Sequence, residues 1–404
     1  MSADLYGNAQ PTTSPTVALV AGEASGDLLA ARLLSGLRPA LPNSLIHGIG
    51  GPKMAEYGFV SDFPMEKLSV RGLFEVLAHY REIKQIQIDL RQRLIAEQPA
   101  VFIGVDAPDF NLGLEIQLRQ AGIPTMHYIS PSIWAWRGGR IKKIAKAVSH
   151  MLVVFPFEAE IYQAAGIEVS YVGHPLAEVI PLQVPVEAAR AALGLPTSAR
   201  VVAIMPGSRM SELKYNALAF VQAAQNLLQR DPQLHFVVPM AGPGQRAYFE
   251  QIVQQAQLGG QLGQQLNPSN LHIFDGCSHE CMAASDGVLV ASGTASLEVA
   301  LFKKPMVIAY KMMAASWHVL KHMGYQPWIG LPNILAREFL VPELLQHAAT
   351  PEAMANALWQ QMQDSAHTGR LVQRFTDMHH SLLRNSAVES AQAVLRVIES
   401  RGKR

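Results

Sequence analysis

Several signatures of common protein classes are scarce or missing in this 404-residue chain. It contains only two cysteines, Cys277 and Cys281, which argues against a disulfide framework and fits a reducing compartment. No uninterrupted apolar run approaches the roughly 18 residues that a membrane-spanning helix needs. The first sixteen residues are polar and lack an apolar core, so we expect no signal peptide. These absences predict a protein that is soluble or peripheral to a membrane.

Charge is also limited. Charged residues make up 16% of the chain and the net charge is only +1, so no general attraction to nucleic acid is implied. Acidic residues are absent from 116 to 157, while five cations cluster there beside Trp134 and Trp136. This composition is typical of a membrane-interface segment, but the residues alone favour a solvated helix whose tryptophans pack internally. The five cations are Arg137, Arg140, Lys142, Lys143 and Lys146.

Familiar nucleotide and metal signatures are missing as well. The chain has no Walker A or GxGxxG motif, no D-x-D pair and no convincing Ser/His/Asp set. Cys277, His279 and Cys281 could touch one metal ion, but a zinc site needs more ligands at defined spacing. We therefore predict two buried structural thiols, no metal and no cofactor.

The chain instead contains short apolar runs that alternate with helical patterns. Runs such as Val101–Val105 and Val201–Met205 are too short for helices and rich in β-branched residues, which indicates buried strands. Prolines multiply between residues 173 and 196, where we place a linker, and the alternation then begins again. Strands that alternate with helices predict parallel sheets. The pattern predicts two doubly wound α/β halves in tandem.

Asp106 directly follows the predicted strand Val101–Val105. Open parallel sheets bind ligands at the carboxyl ends of their strands, so this carboxylate is placed for chemistry. Turn-forming aspartates are common, however, and Asp106 could simply hydrogen-bond its own turn. Pro108 favours a turn at the residue before it, and Asp109 is predicted to cap a helix over residues 110–120.

Three strand-to-helix turns could bind an anion through their backbone amides, at residues 22–27, 206–212 and 291–298. Arg209 could pair with a phosphate through its planar fork, and Glu298 could accept hydrogen bonds from a ribose. Each turn alone could also be a plain capped junction. The other candidate residues on these turns are Glu23, Ser25, Gly207, Ser208, Ser292, Gly293 and Thr294.

Six motifs taken together resemble the lipid-A-disaccharide synthase family. The resemblance runs from about residue 17 to beyond residue 345, with the motifs in the expected order. Departures are small: Ala24 stands where some members carry Thr, and a Gln-rich insertion begins at Gln257. The motifs are GEASGD at 22–27, GVDAPDFN at 104–111, SPSIWAWR at 130–137, PGSR at 206–209, ASGTASLE at 291–298 and LPNILA at 331–336.

The resemblance implies a GT-B glycosyltransferase with two Rossmann-like doubly wound domains that face a central cleft. An acceptor-binding, membrane-facing domain is expected over residues 1–183 plus about 370–404, and a UDP-sugar-binding domain over residues 184–369. The implied reaction joins UDP-2,3-diacylglucosamine to 2,3-diacylglucosamine 1-phosphate (lipid X) and releases UDP. Both substrates are acylated, so the resemblance favours a cytoplasmic enzyme peripheral on the inner face of the cytoplasmic membrane. A homodimer stays open.

The resemblance also implies roles for individual residues. Asp106 is the expected base of an inverting transfer, which needs no covalent intermediate. Arg209 and the amides of residues 292–294 would stabilise the leaving diphosphate, Glu298 would bind the ribose, and Asn333 would bind the donor. The residues carried over as important for activity, without individual roles, are Glu23 and Ser25.

Two alternatives share much of this pattern. A UDP-N-acetylglucosamine 2-epimerase has the same two-lobed architecture but acts on an unacylated donor. A non-catalytic protein that binds UDP-sugars would show affinity without turnover. The basic aromatic segment at residues 130–146 weighs against both, because it favours contact with a membrane. The resemblance also gives the apolar start of a helical pattern at residues 71–81 a reason to face a membrane.

Overall fold

The computed structural model describes residues 14–68, 73–134, 138–258, 266–267, 269–313, 317–318 and 327–402. The side chains predicted to face a membrane at residues 71–80, together with Trp136 and Arg137, lie outside the described residues. So does most of the Gln-rich insertion. The chain forms two compact units: the first runs to Pro175 and resumes at Arg384, and the second is Leu176–Leu383.

The first unit is built on a seven-stranded sheet with the order β3-β2-β1-β4-β5-β6-β7, in which all neighbours are parallel. β1 and β4 are fully buried, which explains why their sequences are continuous apolar runs. The strand order reverses between these two strands, so a topological switch point lies at their carboxyl ends. The strands are β1 (Val17–Ala21), β2 (Ile46–Gly50), β3 (Val60–Pro64), β4 (Val101–Val105), β5 (Thr125–Tyr128), β6 (His150–Val153) and β7 (Val169–Tyr171).

The second unit repeats this plan with a six-stranded parallel sheet in the order β10-β9-β8-β11-β12-β13. Its switch point lies between β8 and β11. The predicted pair of doubly wound α/β halves is therefore confirmed. The strands are β8 (Val201–Met205), β9 (His235–Met240), β10 (Leu271–Asp275), β11 (Gly287–Ala291), β12 (Met306–Tyr310) and β13 (Glu343–Leu345).

Helices connect the strands in both units. Among the described residues, no helix is both long enough and apolar enough to cross a membrane. The helices of the first part of the chain are α1 (Ala24–Leu37), α2 (Pro52–Ala55), α3 (Leu73–Glu97), α4 (Pro108–Gln120), α5 (Ile141–Ala147) and α6 (Pro156–Ala164). They are followed by α7 (Pro175–Val179), α8 (Val186–Ala192), α9 (Met210–Arg230), α10 (Pro243–Leu258), α11 (Ser278–Ala284), α12 (Thr294–Leu301) and α13 (Leu331–Ala336). The last three are α14 (Pro351–Gln363), α15 (Ser365–Leu382) and α16 (Ser386–Gly402).

The last two helices belong to different units. α15 stays with the second unit, where the buried His379 accepts a hydrogen bond from Lys303 Nζ at 2.6 Å and donates one to the carbonyl of Ala177 at 2.7 Å. α16 returns to the first unit and packs tightly on α1, since a Cβ at Gly36 would lie 2.2 Å from the carbonyl oxygen of Ala387. The chain therefore crosses between units after residues 175 and 383, rather than at 183 and about 370.

Candidate active site

Asp106 lies on a strained turn at the switch point of the first sheet. Its φ of +51° and the φ of +43° at Ala107 are both in the left-handed region, which costs about 1–2 kcal/mol per non-glycine residue. Two hydrogen bonds hold the turn: the Asp106 amide donates to the Tyr128 carbonyl at 2.9 Å, and Asn111 Nδ2 donates to the Asp106 carbonyl at 2.8 Å. Backbone strain of this kind concentrates at functional sites.

The half-buried Asp106 side chain lines a cavity of about 270 Å³ within the first unit. The loop after β5 also lines this cavity, and its residue Ile129 has a positive φ of +76°. Arg140 closes one side and brings the only cationic side chain among the described residues that line this cavity. The remaining lining residues are Pro108, Ser130, Pro131, Ser132 and Ile133.

The electrostatic surroundings raise the pKa of the Asp106 carboxyl. Burial is the main cause because it disfavours the charged form, while the amide of Ala107 and the charge of His127 act in the opposite direction. Glu23 raises the pKa further, so the first βα turn is within electrostatic reach of Asp106. A raised carboxyl pKa brings the group closer to the range in which a general base works best at neutral pH.

The first βα turn lies beside Asp106 because β1 and β4 are paired, with Ala21 opposite Val105. A Cβ at Gly22 would lie only 3.1 Å from the Cβ of Ala107, so the two turns are in close contact. Glu23 is half-buried and precedes α1, whereas Ser25 is exposed.

A buried polar cluster, which sequence reasoning missed, lies next to the Asp106 turn. Glu115 Oε1 and His127 Nδ1 are 2.7 Å apart, and both side chains are fully buried. The chain leaves room for this pair at Gly104, where a Cβ would lie 2.2 Å from Glu115 Oε1. Among the described residues, Glu115 Oε2, His127 Nε2 and the Asn111 Oδ1 atom have no hydrogen-bond partner. The signal in the sequence was a glutamate on the apolar face of α4, opposite a glycine in a buried strand.

The predicted cap of α4 is wrong. The helix begins at Pro108 and its N-cap residue is Ala107, because proline is well suited to the first helical position. Asp109 lies in the first turn with its side chain 86% exposed, and it accepts a hydrogen bond from Arg140 Nη2 at 2.8 Å.

Trp134 follows the internal-packing alternative. Its Nε1 donates to Glu158 Oε1 at 3.1 Å, and its ring packs edge-on against Phe157 with centroids 5.4 Å apart. Burial raises the pKa of Glu158 to about 7, although hydrogen bonds from the Phe155 amide and from Ser130 oppose this. A protonatable carboxyl therefore supports the loop that forms one wall of the Asp106 cavity.

A second cavity, of about 380 Å³, lies within the second unit at the carboxyl ends of β8, β9 and β11. It brings together the turns at residues 206–212 and 291–298, which the sequence singled out separately. The predicted residues that line it are Gly207, Ser208, Arg209, Ser292, Gly293, Thr294 and Glu298.

The turn before α9 is organised by Glu212. Its carboxylate accepts hydrogen bonds from the amides of Ser208 and Arg209 and pairs with Arg209 Nη1 at 2.9 Å. Gly207 has a φ of +131°, and a Cβ there would lie 2.5 Å from the Cβ of Glu212. The Arg209 side chain is 72% exposed at the cavity wall, so it can meet a ligand while staying anchored to Glu212.

The turn before α12 presents small residues and one carboxylate. Gly293, with a φ of +141°, immediately precedes the helix. Glu298 Oε2 lies 3.0 Å from His279 Nε2, and this hydrogen bond is the main reason that the pKa of His279 is raised. His279 was considered only as a metal ligand from the sequence; the structure makes it the partner of Glu298. Groups of three or more potential metal ligands are absent from the described part of the chain.

Two sequence predictions in the second unit have a different outcome. Cys281 is buried within α11, but Cys277 is exposed; it is the residue before that helix and has a φ of +56°. Asn333 does not line the cavity. It is fully buried, and its amide bonds Glu343 Oε1, the Val341 carbonyl and the amides of Leu340 and Val341.

The fold and the two cavities define a class: two doubly wound α/β units of the GT-B type. Solved structures with this fold include a putative UDP-N-acetylglucosamine 2-epimerase from Listeria monocytogenes, with a TM-score of 0.63 and 12% identity, covering 97% of each chain. Another is the UDP-GlcNAc 2-epimerase from Neisseria meningitidis bound to UDP-GlcNAc, with a TM-score of 0.61 and 11% identity, covering 95% of this chain and 100% of that one.

Sequence comparison then gives the family. Residues 17–397 match the model of the lipid-A-disaccharide synthetase family, and the chain belongs to that family. It is 51% identical over 393 residues to the lipid-A-disaccharide synthase of Paraburkholderia phymatum, a match that covers 97% of this chain and 98% of that protein.

Proposed function

We propose that this chain condenses UDP-2,3-diacylglucosamine with 2,3-diacylglucosamine 1-phosphate. The products are the β-1,6-linked disaccharide 1-phosphate of lipid A biosynthesis and UDP. Family membership across nearly the whole length supports the reaction. The observation that carries the mechanism is the half-buried carboxylate of Asp106, held on a strained turn at a sheet switch point and lining a cavity.

Asp106 acts as the general base. Its carboxylate takes the proton from the 6-hydroxyl of the acceptor as that oxygen attacks the anomeric carbon of the donor. The bond from the anomeric carbon to UDP breaks on the opposite face, and UDP leaves with the electron pair. One base is sufficient for such an inverting displacement, and the raised pKa of Asp106 suits it to that work.

The cavity of the second unit receives the UDP moiety. The amides of residues 292–294 and the guanidinium of Arg209 stabilise the diphosphate as it gains charge, in the way that preorganised donors stabilise developing anions. Glu298 accepts hydrogen bonds from the ribose hydroxyls, and His279 holds it in place. Asn333 contributes to donor binding indirectly, by fixing the loop that leads to β13.

The first unit binds the acceptor and contacts the membrane. Glu23 acts through its charge on Asp106, and Ser25 is exposed on the same turn. The α5 helix exposes Lys142, Lys143 and Lys146 to an anionic membrane surface on the cytoplasmic face, each contributing about 1 kcal/mol. Acylated substrates are thereby taken up where they reside.

The epimerase alternative is not favoured. The likeness to epimerase structures is at 11–12% identity and concerns the fold, whereas the family match extends over residues 17–397. A non-catalytic UDP-sugar-binding protein would have no need for a carboxylate with a raised pKa on a strained turn.

Mass spectrometry of the reaction products tests the proposal. The purified chain is incubated with both acylated precursors, with and without detergent micelles, and separately with UDP-N-acetylglucosamine. We expect the disaccharide 1-phosphate together with UDP, and largely unchanged turnover in EDTA. Epimerised sugar with UDP from the unacylated donor, or UDP binding without any product, would contradict the proposal.

A further inference from the structure

We propose that Arg140 recognises the phosphate of the acceptor, so that the Asp106 cavity selects a sugar that carries an anomeric phosphate monoester. This inference rests on the proposed function and adds a specificity residue to it. Arg140 lines the same cavity as Asp106 and pairs with Asp109 on the first turn of α4.

The chemistry of the acceptor requires a cation close to the base. In a hexosamine 1-phosphate, the carbon that bears the phosphate and the carbon that bears the hydroxymethyl group both flank the ring oxygen. The nucleophilic hydroxyl and the phosphate therefore lie on neighbouring edges of one ring. A site that deprotonates the first must hold the second within a single sugar-sized cavity, and the Asp106 cavity has a volume of about 270 Å³.

Arg140 is the cationic side chain that this cavity offers within the described residues. A guanidinium carries five N–H donors in a planar fork that matches phosphate oxygens in pairs. Only Nη2 is engaged, by Asp109, whereas Nε and Nη1 make no hydrogen bond to any described residue. Two edges of the fork are therefore open to a ligand.

The ion pair between Arg140 and Asp109 does not prevent Arg140 from binding a phosphate. The Asp109 side chain is 86% exposed, and ion pairs in contact with water contribute only about 0–1 kcal/mol. The Arg140 side chain itself is 25% exposed, so it is better shielded than its partner. A doubly charged phosphate can thus bind Arg140 either in place of the exposed Asp109 carboxylate or together with it.

Arg140 also limits the effect of the substrate's phosphate on the pKa of Asp106. A phosphate dianion close to Asp106 would raise the pKa of that carboxyl further, as like charges do. A guanidinium bound to the phosphate neutralises most of this effect. The same contact therefore selects the acceptor and keeps Asp106 ionised.

The test measures the preference between two acceptors in mixed micelles: 2,3-diacylglucosamine 1-phosphate and the same sugar with a free 1-hydroxyl. For Arg140→Ala we expect the preference in kcat/KM for the phosphorylated acceptor to fall about 10- to 100-fold, mainly through KM. Arg140→Lys retains the charge but loses the fork, so its preference should be intermediate. UDP affinity and Tm should stay at wild-type values.

Two further variants sharpen the result. Asp109→Asn frees Arg140 and should keep or strengthen the preference. Arg374, which pairs with Glu338 on the surface of the second unit, is a matched control, and Arg374→Ala should leave the preference unchanged.

The outcomes separate this inference from the proposed function. An equal loss with both acceptors would make Arg140 a structural residue, and an unchanged preference would remove it from the site. Either result overturns the inference while disaccharide formation still supports the function. If the wild-type chain forms no disaccharide from either acceptor, the proposed function and the inference fail together.

Discussion

Asn111 Nδ2 donates a hydrogen bond of 2.8 Å to the backbone carbonyl of Asp106, and this contact fixes a left-handed turn in front of the cavity. Replacing Asn111 with alanine should let the turn relax and misplace the carboxylate. We expect kcat to fall about 10- to 100-fold, because small displacements of a catalytic group have effects of this size. UDP affinity should not change, because the cavity that we propose to bind UDP lies in the second unit. A variant with lowered Tm but wild-type kcat would show that Asn111 serves folding alone.

Gly104 must lack a side chain for the Glu115–His127 pair to fit. A methyl group there would lie 2.2 Å from Glu115 Oε1, so Gly104→Ala should lower the free energy of unfolding by about 1–3 kcal/mol. Thermal melting measures the loss. Gly113→Ala in α4 is the matched control: its nearest neighbour would be Gln87 Nε2 at 3.6 Å, and alanine is the better helix former. Equal melting temperatures for wild type and Gly104→Ala would refute the steric argument.

Glu298 should contribute to UDP binding through the ribose. Loss of a hydrogen bond to a charged acceptor typically costs about 1.5–3 kcal/mol, so Glu298→Ala should raise the Kd for UDP about 10- to 100-fold. Calorimetric titration measures this change. His279→Ala should have a smaller effect, because it leaves the carboxylate present but unanchored. Glu280→Ala, at an exposed position, is the control. If Glu298→Ala and Glu280→Ala both bind UDP like the wild type, Glu298 does not bind the ribose.

Glu158 predicts a pH dependence of stability. Its pKa is raised from 4.5 to about 7, so the folded chain holds a proton that the unfolded chain loses at lower pH. Its stabilising contribution is therefore fully present below about pH 4.5 and is lost as the pH rises to about 7, where the loss amounts to about 3 kcal/mol. The wild-type Tm should fall over this range more than that of Glu158→Gln. Parallel Tm curves for the two proteins would mean that Glu158 is ionised throughout.

Much of the fold was predictable because the central strands are buried on both faces. β4 and β8 are continuous apolar runs followed by turn-forming residues, and this pattern identifies buried parallel strands from composition alone. The two turns that line the cavity of the second unit could also be named separately. Their proximity could not be read from local sequence, because it follows from the reversal of strand order between β8 and β11.

The remaining features depend on contacts between distant residues. Glu115 stands on the apolar face of α4, which signals burial, but its partner His127 comes from the next strand and could not be identified from local sequence. Asn333 resembled a ligand-binding residue by motif, yet its amide is saturated by the loop that leads to β13. Cys277 was predicted to be buried on a helix, but it is exposed and precedes α11 with a positive φ, a conformation that residue type does not signal reliably outside glycine.

The most direct test of the central claim is the turnover of Asp106→Asn at saturating donor and acceptor. Asparagine keeps the shape of the side chain and can still line the cavity, but it cannot accept a proton. We predict a loss of about 10²- to 10⁴-fold in kcat, with UDP affinity and Tm unchanged. Near-normal turnover of this variant would contradict the account, because the acceptor hydroxyl would then be deprotonated by some other group.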